Sequence, residues 1–412
     1  MGSGNYPRKV QREGEKLKPY KVLFLPGNVY HVKMFSKVAR KLKADVLAIS
    51  LEGYGEKGRI GIERALRENG IRFKRVQDYQ KENPEFILRQ EKPDVMVVLN
   101  DVDPSCLPFV REANRLEIPT LLIAEGLYFG KLQPKRVAPA YFRTVLKNLL
   151  FSGNVRYSLK LQLRKFASIL SGNPEPGVDK WGANCSKIAV WGEYSRKCFE
   201  MNGIPPERIR ITGNPLMDEL VEVKFNPEKI RKQLGIPKGS KLIVYASCNP
   251  IDINYWTEKE SKEFVRLLNR IVLGLKNCFL LIRPHPTECE ERYLRYLKGE
   301  DLGRTRVSKK ENVYEILAAA DILITDASVV GSEAAVMGKP VIVVNLTGKP
   351  YPTEQYPALL VREGVAVEVR RKDKLLPTIE RLLNKESHDE LVKNREKFVE
   401  KYFYKIDGQS SQ

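Results

Sequence analysis

Phe279-Leu280-Leu281-Ile282-Arg283-Pro284-His285-Pro286 and, about forty residues on, Ile322-Leu323-Ile324-Thr325-Asp326-Ala327-Ser328-Val329-Val330-Gly331-Ser332-Glu333 decide the reading of this chain. Each begins as an apolar run of strand length and passes into small, polar or proline residues, so each turn should lie at the carboxyl end of a parallel strand. Open α/β sheets bind ligands at such ends. In the second segment a helix opening between Val330 and Ser332 would aim free N–H groups, and the positive end of its dipole, at a phosphate beside Ser328, Val329 and Val330. Glu333 falls farther along that helix, on a face where a carboxylate can accept both hydroxyls of a ribose. In the first segment Pro284 and Pro286 stiffen the loop around His285, whose imidazole can donate to a diphosphate oxygen while Arg283 adds fixed charge. The competing reading makes His285 a loop cap and Glu333 a solvated helix residue. Two such segments, in a chain with only 3 histidines, favour the phosphate site.

Length and composition bound the rest. At 412 residues and 42% hydrophobic content the chain is too long for one ordinary core, and two domains are expected. The six cysteines (Cys106, Cys185, Cys198, Cys248, Cys278, Cys289) show no metal-binding or redox spacing and read as reduced core thiols. No apolar run reaches the length of a membrane span, and the polar start Gly2-Ser3-Gly4 lacks a signal-peptide apolar region, so a cytoplasmic protein is expected.

Strands alternate with helices along the chain. Lys21 to Leu25, followed by Pro26-Gly27-Asn28 and a helix through Phe35 to Leu42, forms a first unit. Further strands are read at Asp45 to Ser50, Asp94 to Leu99, Thr120 to Ala124 and Lys187 to Val190. A charged stretch from Glu219 to Lys241 reads as linker. A second series starts at Leu242 to Ala246 and runs through Ile342 to Val344. The expected architecture is α/β: a Rossmann-like domain over 18–215 and another over 240–385, with parallel sheets facing across a cleft. A last amphipathic helix, about 387–405, would pack back onto the first.

The motifs carry a family resemblance. Asn100-Asp101, Ile118-Pro119-Thr120 leading to Glu125-Gly126-Leu127, Trp191-Gly192-Glu193-Tyr194-Ser195 through Gly203-Ile204-Pro205 to Thr212-Gly213-Asn214-Pro215, and Thr325-Asp326 through Glu333-Ala334 to Gly338-Lys339-Pro340-Val341 resemble the UDP-N-acetylglucosamine 2-epimerase branch of the GT-B superfamily. The likeness runs over roughly residues 20 to 385. It implies a nucleotide sugar held mainly by the second domain, with Ser328 and its neighbours on phosphate, His285 on phosphate or sugar, and Glu333 on ribose. The chain departs from the epimerases where they carry Gly-Thr-Arg-Pro-Glu and it has Gly27-Asn28-Val29-Tyr30-His31. It departs again where they carry His-Arg-Arg-Glu-Asn and it has Ser247-Cys248-Asn249-Pro250. A cradle kept while polar catalytic groups are lost points to other chemistry on the same kind of donor. The arrangement is similar to GT-B sialyl-, Kdo- and polyol-phosphate transferases, which transfer rather than isomerise.

The favoured expectation is therefore a metal-independent, inverting glycosyltransferase that moves a sugar from a nucleotide-activated donor to a cell-surface glycan or lipid-linked acceptor. A UDP-N-acetylhexosamine 2-epimerase and a CDP-polyol phosphotransferase stand as alternatives. Glu125 is the candidate base for the acceptor hydroxyl, with Asp101 and His31 behind it. Arg283, His285 and the helix start at Ser328 would stabilise the phosphate leaving group. Gly27 and Asn28 count with the donor-binding positions. Glu125 reads equally as a helix-start carboxylate that only caps. Asp101 and Asp103 suggest an Asp-x-Asp metal pair, but no metal and no cofactor besides the nucleotide donor is expected.

The net charge is +20, and between Glu125 and Glu175 nine Lys or Arg residues stand with no acidic one. Aromatic and aliphatic residues interleave them. Such a stretch, 131–166, can lie on an anionic bilayer at the inner face of the cell membrane or hold a phosphorylated lipid near the site, and reads equally as a helix pair with solvated lysines. No nucleic-acid-reading motif accompanies the basic balance, so nucleic acid is not expected as a partner.

Overall fold

The computed structural model describes residues 19–51, 55–127, 181–326, 328–349, 351, 357–384 and 389–412. Among the described residues thirteen strands fall into two parallel sheets. In the first, β1 (Lys21–Leu25), β2 (Asp45–Ser50), β3 (Arg72–Arg75), β4 (Val95–Val98), β5 (Thr120–Ile123), β6 (Lys187–Val190) and β7 (Ile209–Ile211) lie in the order β3-β2-β1-β4-β5-β6-β7. In the second, β8 (Lys241–Ala246), β9 (Cys278–Arg283), β10 (Thr305–Val307), β11 (Ile322–Thr325), β12 (Val341–Val344) and β13 (Val367–Val369) lie in the order β10-β9-β8-β11-β12-β13. Both orders turn back on the founding strand, next to β4 in one sheet and β11 in the other. Each sheet is thus a doubly wound Rossmann-like layer with one switch point. Contacts gather the chain into two compact units. One contains β1 to β5 with Trp181–Ile188, and the other contains Ala189–Ser411.

The central strands are buried because helices cover both faces of a parallel sheet, which forces near-continuous apolar runs. In the second sheet Ile243, Tyr245, Leu280, Ile282, Ile322, Ile324, Ile342 and Val344 share one core with the helix Glu258–Gly274. Burying each such aliphatic side chain is worth about 1.5–3 kcal/mol before chain entropy is subtracted. Thr257 and Glu260 close a capping box at the start of that helix, which pins its amino end.

Three corrections to the sequence reading emerge. The stretch read as linker is folded into the second unit: Pro227–Gln233 is a helix, and Arg231 donates to the carbonyls of Ser240 (2.6 Å) and Ala319 (2.5 Å) and to Asp321 (2.7 Å). Four strands escaped the reading, β3, β7, β10 and β13, and these are the four sheet edges. Among the cysteines, Cys106, Cys185, Cys198 and Cys278 are buried, Cys248 is half-buried and Cys289 is exposed.

The last helix, Asp389–Phe403, packs on the helix Glu193–Met201 through Tyr402 over Tyr194 (4.8 Å between rings). Gly192 permits this approach. A Cβ there would stand 2.6 Å from the carbonyl carbon of Tyr402 and 2.8 Å from the oxygen of Lys401, backbone that cannot swing away. Past the helix, the buried carboxylate of Asp218 accepts the N–H groups of Ser410 (3.0 Å) and Ser411 (2.8 Å) and the Ser411 hydroxyl (2.6 Å). Gly192→Ala is expected to cost about 1–3 kcal/mol, as overpacking does, and to raise amide exchange over residues 389–411. An unchanged urea midpoint with unchanged exchange would contradict this account of the docking.

Candidate functional site

Register sets the site. Arg283 pairs with Ala246 across β9 and β8, and Ala246 with Thr325 across β8 and β11, so three adjacent strands end at one level. The loops that leave them flank the switch point between β8 and β11, where a doubly wound sheet opens a crevice. Buried polar groups tie these loops together. The Asp326 carboxylate, fully buried, accepts the backbone N–H of Cys248 (2.9 Å) and the hydroxyl of Tyr245 (3.0 Å). Asn249, with φ of 62°, donates from Nδ2 to Asp252 (2.9 Å) and to the hydroxyl of Thr287 (3.0 Å).

His285 sits half-buried in the β9 loop, and the loop is built around it. Its backbone N–H donates to Glu288 (2.9 Å), whose buried carboxylate also takes the Tyr293 hydroxyl at 3.0 Å. Lys309 donates to the carbonyls of Glu288 and Pro286 and closes the far side. The ring nitrogen Nδ1 lies 2.7 Å from the Thr287 hydroxyl and accepts the Thr287 N–H at 3.3 Å. Burial pulls the imidazole pKa below its ordinary value; Glu288 and Asp252 oppose that pull and Lys309 adds to it. A neutral ring at neutral pH follows.

Arg283 and Glu333 form the charged floor. Burial lowers the guanidinium pKa, against the pull of Glu311 and Glu333, and its Nη1 is buried without a hydrogen-bond partner among the described residues. The Glu311 oxygen Oε2 and the Ser332 hydroxyl are buried in the same condition. Glu333 keeps part of its surface accessible, yet the surrounding protein pushes its pKa up to about 7, while the Tyr314 hydroxyl at 3.3 Å and Arg283 hold it down. A carboxyl this close to its titration point takes its charge from whatever binds it. Phosphate oxygens suit an unpaired guanidinium nitrogen, and ribose hydroxyls suit a carboxylate, so these residues fit a nucleotide.

The helix start differs from expectation. The helix Val330–Val336 is short, and its first N–H groups are already engaged: Val330 with the Ser328 hydroxyl (3.3 Å), Gly331 with the Ser328 carbonyl (3.1 Å), and Ser332 and Glu333 with the carbonyl of Val329 (2.9 and 3.5 Å). Val329 is the cap residue and makes no side-chain capping bond, Ser328 is buried beside it, and Val329, Val330 and Ser332 do not present the free N–H cradle expected of them.

In the first sheet the switch point lies between β1 and β4, and its loops carry Gly27, Asn28 and Asp101. Asn28 caps the helix Val29–Lys41 by accepting the N–H of His31 (3.0 Å), and the Gly27 N–H donates to His31 Nδ1 (2.9 Å). A Cβ on Gly27 would meet that imidazole at 3.2 Å. Asp101 is fully buried and accepts the N–H groups of Gly182 (2.8 Å) and Asn184 (2.9 Å). Burial raises its pKa, and those N–H groups work against the rise. Its carboxylate ties the backbone at Gly182 and Asn184 to the loop after β4. The Asp103 oxygen Oδ1 likewise accepts the N–H of Ser105 (2.9 Å) and its hydroxyl. Glu125 follows β5 at its carboxyl end, half-buried. The basic stretch 131–166 lies outside the described residues.

Sequence reasoning missed Asn249, Thr287, Glu288, Glu311 and Tyr314. Asn249 lay in Ser247-Cys248-Asn249-Pro250, read as a loss of polar groups, and Thr287 is one residue beyond the Pro-His-Pro turn. Among the described residues no group of three or more His, Cys, Asp or Glu could hold a metal ion, and no helix is long and apolar enough to cross a membrane.

Comparison with known proteins fits this geometry. Solved structures with the same fold include UDP-GlcNAc 2-epimerase from Neisseria meningitidis bound to UDP-GlcNAc (15% identity, 95% of this chain and 97% of that one, TM-score 0.59). UDP-GlcNAc 2-epimerase from Methanocaldococcus jannaschii aligns at 14% identity over 92% of this chain and 99% of that one, TM-score 0.55. The wall teichoic acid polymerase TagF, soaked with CDPG, aligns at 14% identity over 95% of this chain and 86% of that one, TM-score 0.54. Identities so low show the GT-B fold alone. No curated protein matches the chain. A family model does, that of CDP-glycerol:poly(glycerophosphate) glycerophosphotransferase, over residues 178–412. That span holds the whole second sheet with its Arg-Pro-His-Pro turn and Glu333, and covers more than half of the sequence, so the chain belongs to this family of nucleotide-dependent transferases.

Proposed function

We propose that the protein transfers a phosphate-linked polyol from a CDP-activated donor to a hydroxyl of a glycan or lipid-linked polymer. The observation that carries the reading is the grouping of Arg283, His285 and Glu333 about one switch point, with a buried guanidinium nitrogen left unpaired. Arg283 and a ring N–H of His285 hold the diphosphate, and Glu333 accepts the ribose hydroxyls. The acceptor oxygen attacks the phosphorus that bears the polyol. The new P–O bond forms as the bond to the bridging oxygen breaks, and CMP leaves with its charge met by Arg283 and His285. The acceptor proton passes to Glu125. Fixed charge and a preorganised donor supply the stabilisation, so the reading needs no metal ion.

A second reading, glycosyl transfer from a UDP- or CMP-sugar, is supported by the arrangement of the Glu125-Gly126 loop, the Arg283-Pro284-His285-Pro286 loop and the Ser328 loop, which is similar to GT-B sialyl- and Kdo transferases. It keeps the same cradle and changes only the bond broken, from phosphorus–oxygen to the anomeric carbon–oxygen bond. Epimerisation shares that donor and needs no acceptor. The basic residues of 131–166 suit an enzyme held peripherally at an anionic inner membrane face with its acceptor.

A panel of CDP-glycerol, CDP-ribitol, CMP- and UDP-sugars, with and without a polyol-phosphate primer, separates the three. Acceptor-dependent CMP release from a CDP-polyol is expected; UDP release, or C2 inversion without acceptor, would replace the reading with its rivals. Arg283→Ala and His285→Gln should each lower kcat by about 10²-fold or more, the usual loss when a transition-state donor is removed. Donor affinity should depend on pH through Glu333. Ribose hydroxyls favour the ionised carboxylate, so affinity rises with pH up to about 7 and levels off above it, falling by up to about tenfold per unit below. Glu333→Gln should bind more weakly and lose that dependence. A titration of CDP-glycerol binding by calorimetry from pH 5.5 to 8.5 checks both.

A further inference from the structure

The geometry points to Thr287 and Asn249 as positioning residues that hold the neutral imidazole of His285 in one tautomer, with its proton on Nε2. The argument follows the direction of each hydrogen bond. An amide nitrogen only donates, so Asn249 Nδ2 gives one proton to Asp252 (2.9 Å) and one to the Thr287 oxygen (3.0 Å). Asp252, an acceptor when ionised, thereby fixes which way the Asn249 amide faces. With its oxygen receiving from Asn249, the Thr287 hydroxyl is free to turn its own hydrogen to the nearest acceptor, His285 Nδ1 at 2.7 Å. The Thr287 backbone N–H converges on the same nitrogen at 3.3 Å. Two donors meet at Nδ1, which must then be a lone pair, and the ring proton is left on Nε2.

The relay is built rather than incidental. Asn249 is buried and held at φ of 62°, a left-handed conformation that asparagine tolerates better than branched residues, and its own N–H is tied to the Ser247 hydroxyl at 3.1 Å. The β8 loop is tied to Asp326 by the Cys248 N–H (2.9 Å), so Asn249 cannot drift from Thr287 without breaking a buried bond. The consequence for chemistry is directional. With Nδ1 occupied as acceptor, the imidazole meets a ligand as a hydrogen-bond donor through Nε2 and not as a proton acceptor, which assigns it to the leaving group and not to the acceptor hydroxyl. That last step rests on the donor-site reading above; the tautomer does not.

The test uses full-length protein labelled with ¹⁵N-histidine, in which long-range ¹H–¹⁵N correlation reports which ring nitrogen carries the proton, and His285→Gln assigns the signals. The proposal expects Nδ1 unprotonated and Nε2 protonated in the wild type, without any donor present. Thr287→Val, nearly isosteric, should move the His285 pair toward mixed tautomers and lower kcat by about 10- to 100-fold, the usual loss when a residue orienting a functional histidine is removed, with the donor KM changed far less. Thr287→Ser should restore both signals and rate. Asn249→Gly, which keeps the backbone conformation but removes the amide, should give the Thr287→Val pattern more weakly. A wild-type ring protonated on Nδ1, or a Thr287→Val protein with unaltered tautomer, overturns the proposal whatever the donor proves to be. If the tautomer behaves as stated while no CDP-polyol is turned over, the functional reading fails and the relay stands.

Discussion

The loops at the carboxyl ends of the second sheet depend on one buried carboxylate. Asp326 lies where β11 ends, fully buried, and spends its oxygens on the Cys248 N–H and the Tyr245 hydroxyl of the neighbouring strand and its loop. Burying an ion without such donors costs several kcal/mol, so each bond it makes is compulsory, and losing one leaves an exposed cost rather than a small gap. The loop after β8 is thereby fixed against the loop after β11. Asn249 then reaches Thr287, Thr287 reaches His285, and the turn that carries the imidazole takes its position from a residue two strands away.

Around that frame the site holds charge in an unbalanced state. Arg283 is pressed by burial toward losing its proton and kept charged by Glu311 and Glu333, while Glu333 is pressed toward gaining one and held by Tyr314 and Arg283. A fully paired ion cluster would be more comfortable, as Glu63 is elsewhere in the chain, bonded to Arg59 (2.9 Å) and Arg75 (2.8 Å). Glu63 is a structural group with its valences filled by the chain, whereas Arg283 and Glu333 retain unfilled capacity at a switch point, the place where a sheet of this winding receives a phosphate and a pentose.

Much of this is legible in the sequence. The nine strands read from apolar runs are the inner strands of the two sheets, because a strand covered on both faces has no room for polar residues. The four that escaped are the edges, and their sequences say why. Arg72-Phe73-Lys74-Arg75, Ile209-Arg210-Ile211, Thr305-Arg306-Val307 and Val367-Glu368-Val369 are short and charged, as edges must be to refuse further strands. At the site, strand ends and the Pro-His-Pro turn located Arg283, His285 and Glu333. What the sequence concealed was the direction of local hydrogen bonds. Ser328 and Asn28 have the residue types of ligand contacts and also those of local backbone partners, and here Asn28 caps a helix while the Ser328 hydroxyl accepts the Val330 N–H. Asn249 carries no motif at all, since its role arises only when β8 and β9 are side by side.

A site that holds a nucleoside diphosphate can support isomerisation or transfer alike. A nucleoside diphosphate is held by its phosphates and ribose, and those contacts are indifferent to what hangs from the distal phosphate. Chemistry is decided by the groups around that distal atom. The epimerase-like polar loops are replaced here by Gly27-Asn28-Val29-Tyr30-His31 and Ser247-Cys248-Asn249-Pro250, and in the structure the polar side chains of these replacements turn inward. Asn28 caps a helix, His31 is buried and takes the Gly27 N–H, and Asn249 orients a neighbour. Epimerisation at a sugar carbon needs acid and base groups poised on two faces of the ring. Transfer with loss of a nucleotide needs one base for the acceptor and well-fixed positive charge for the leaving group. Among the described residues Arg283 Nη1 has no hydrogen-bond partner and the turn around His285 is held by Glu288 and Thr287, a combination that suits the second set of requirements better than the first.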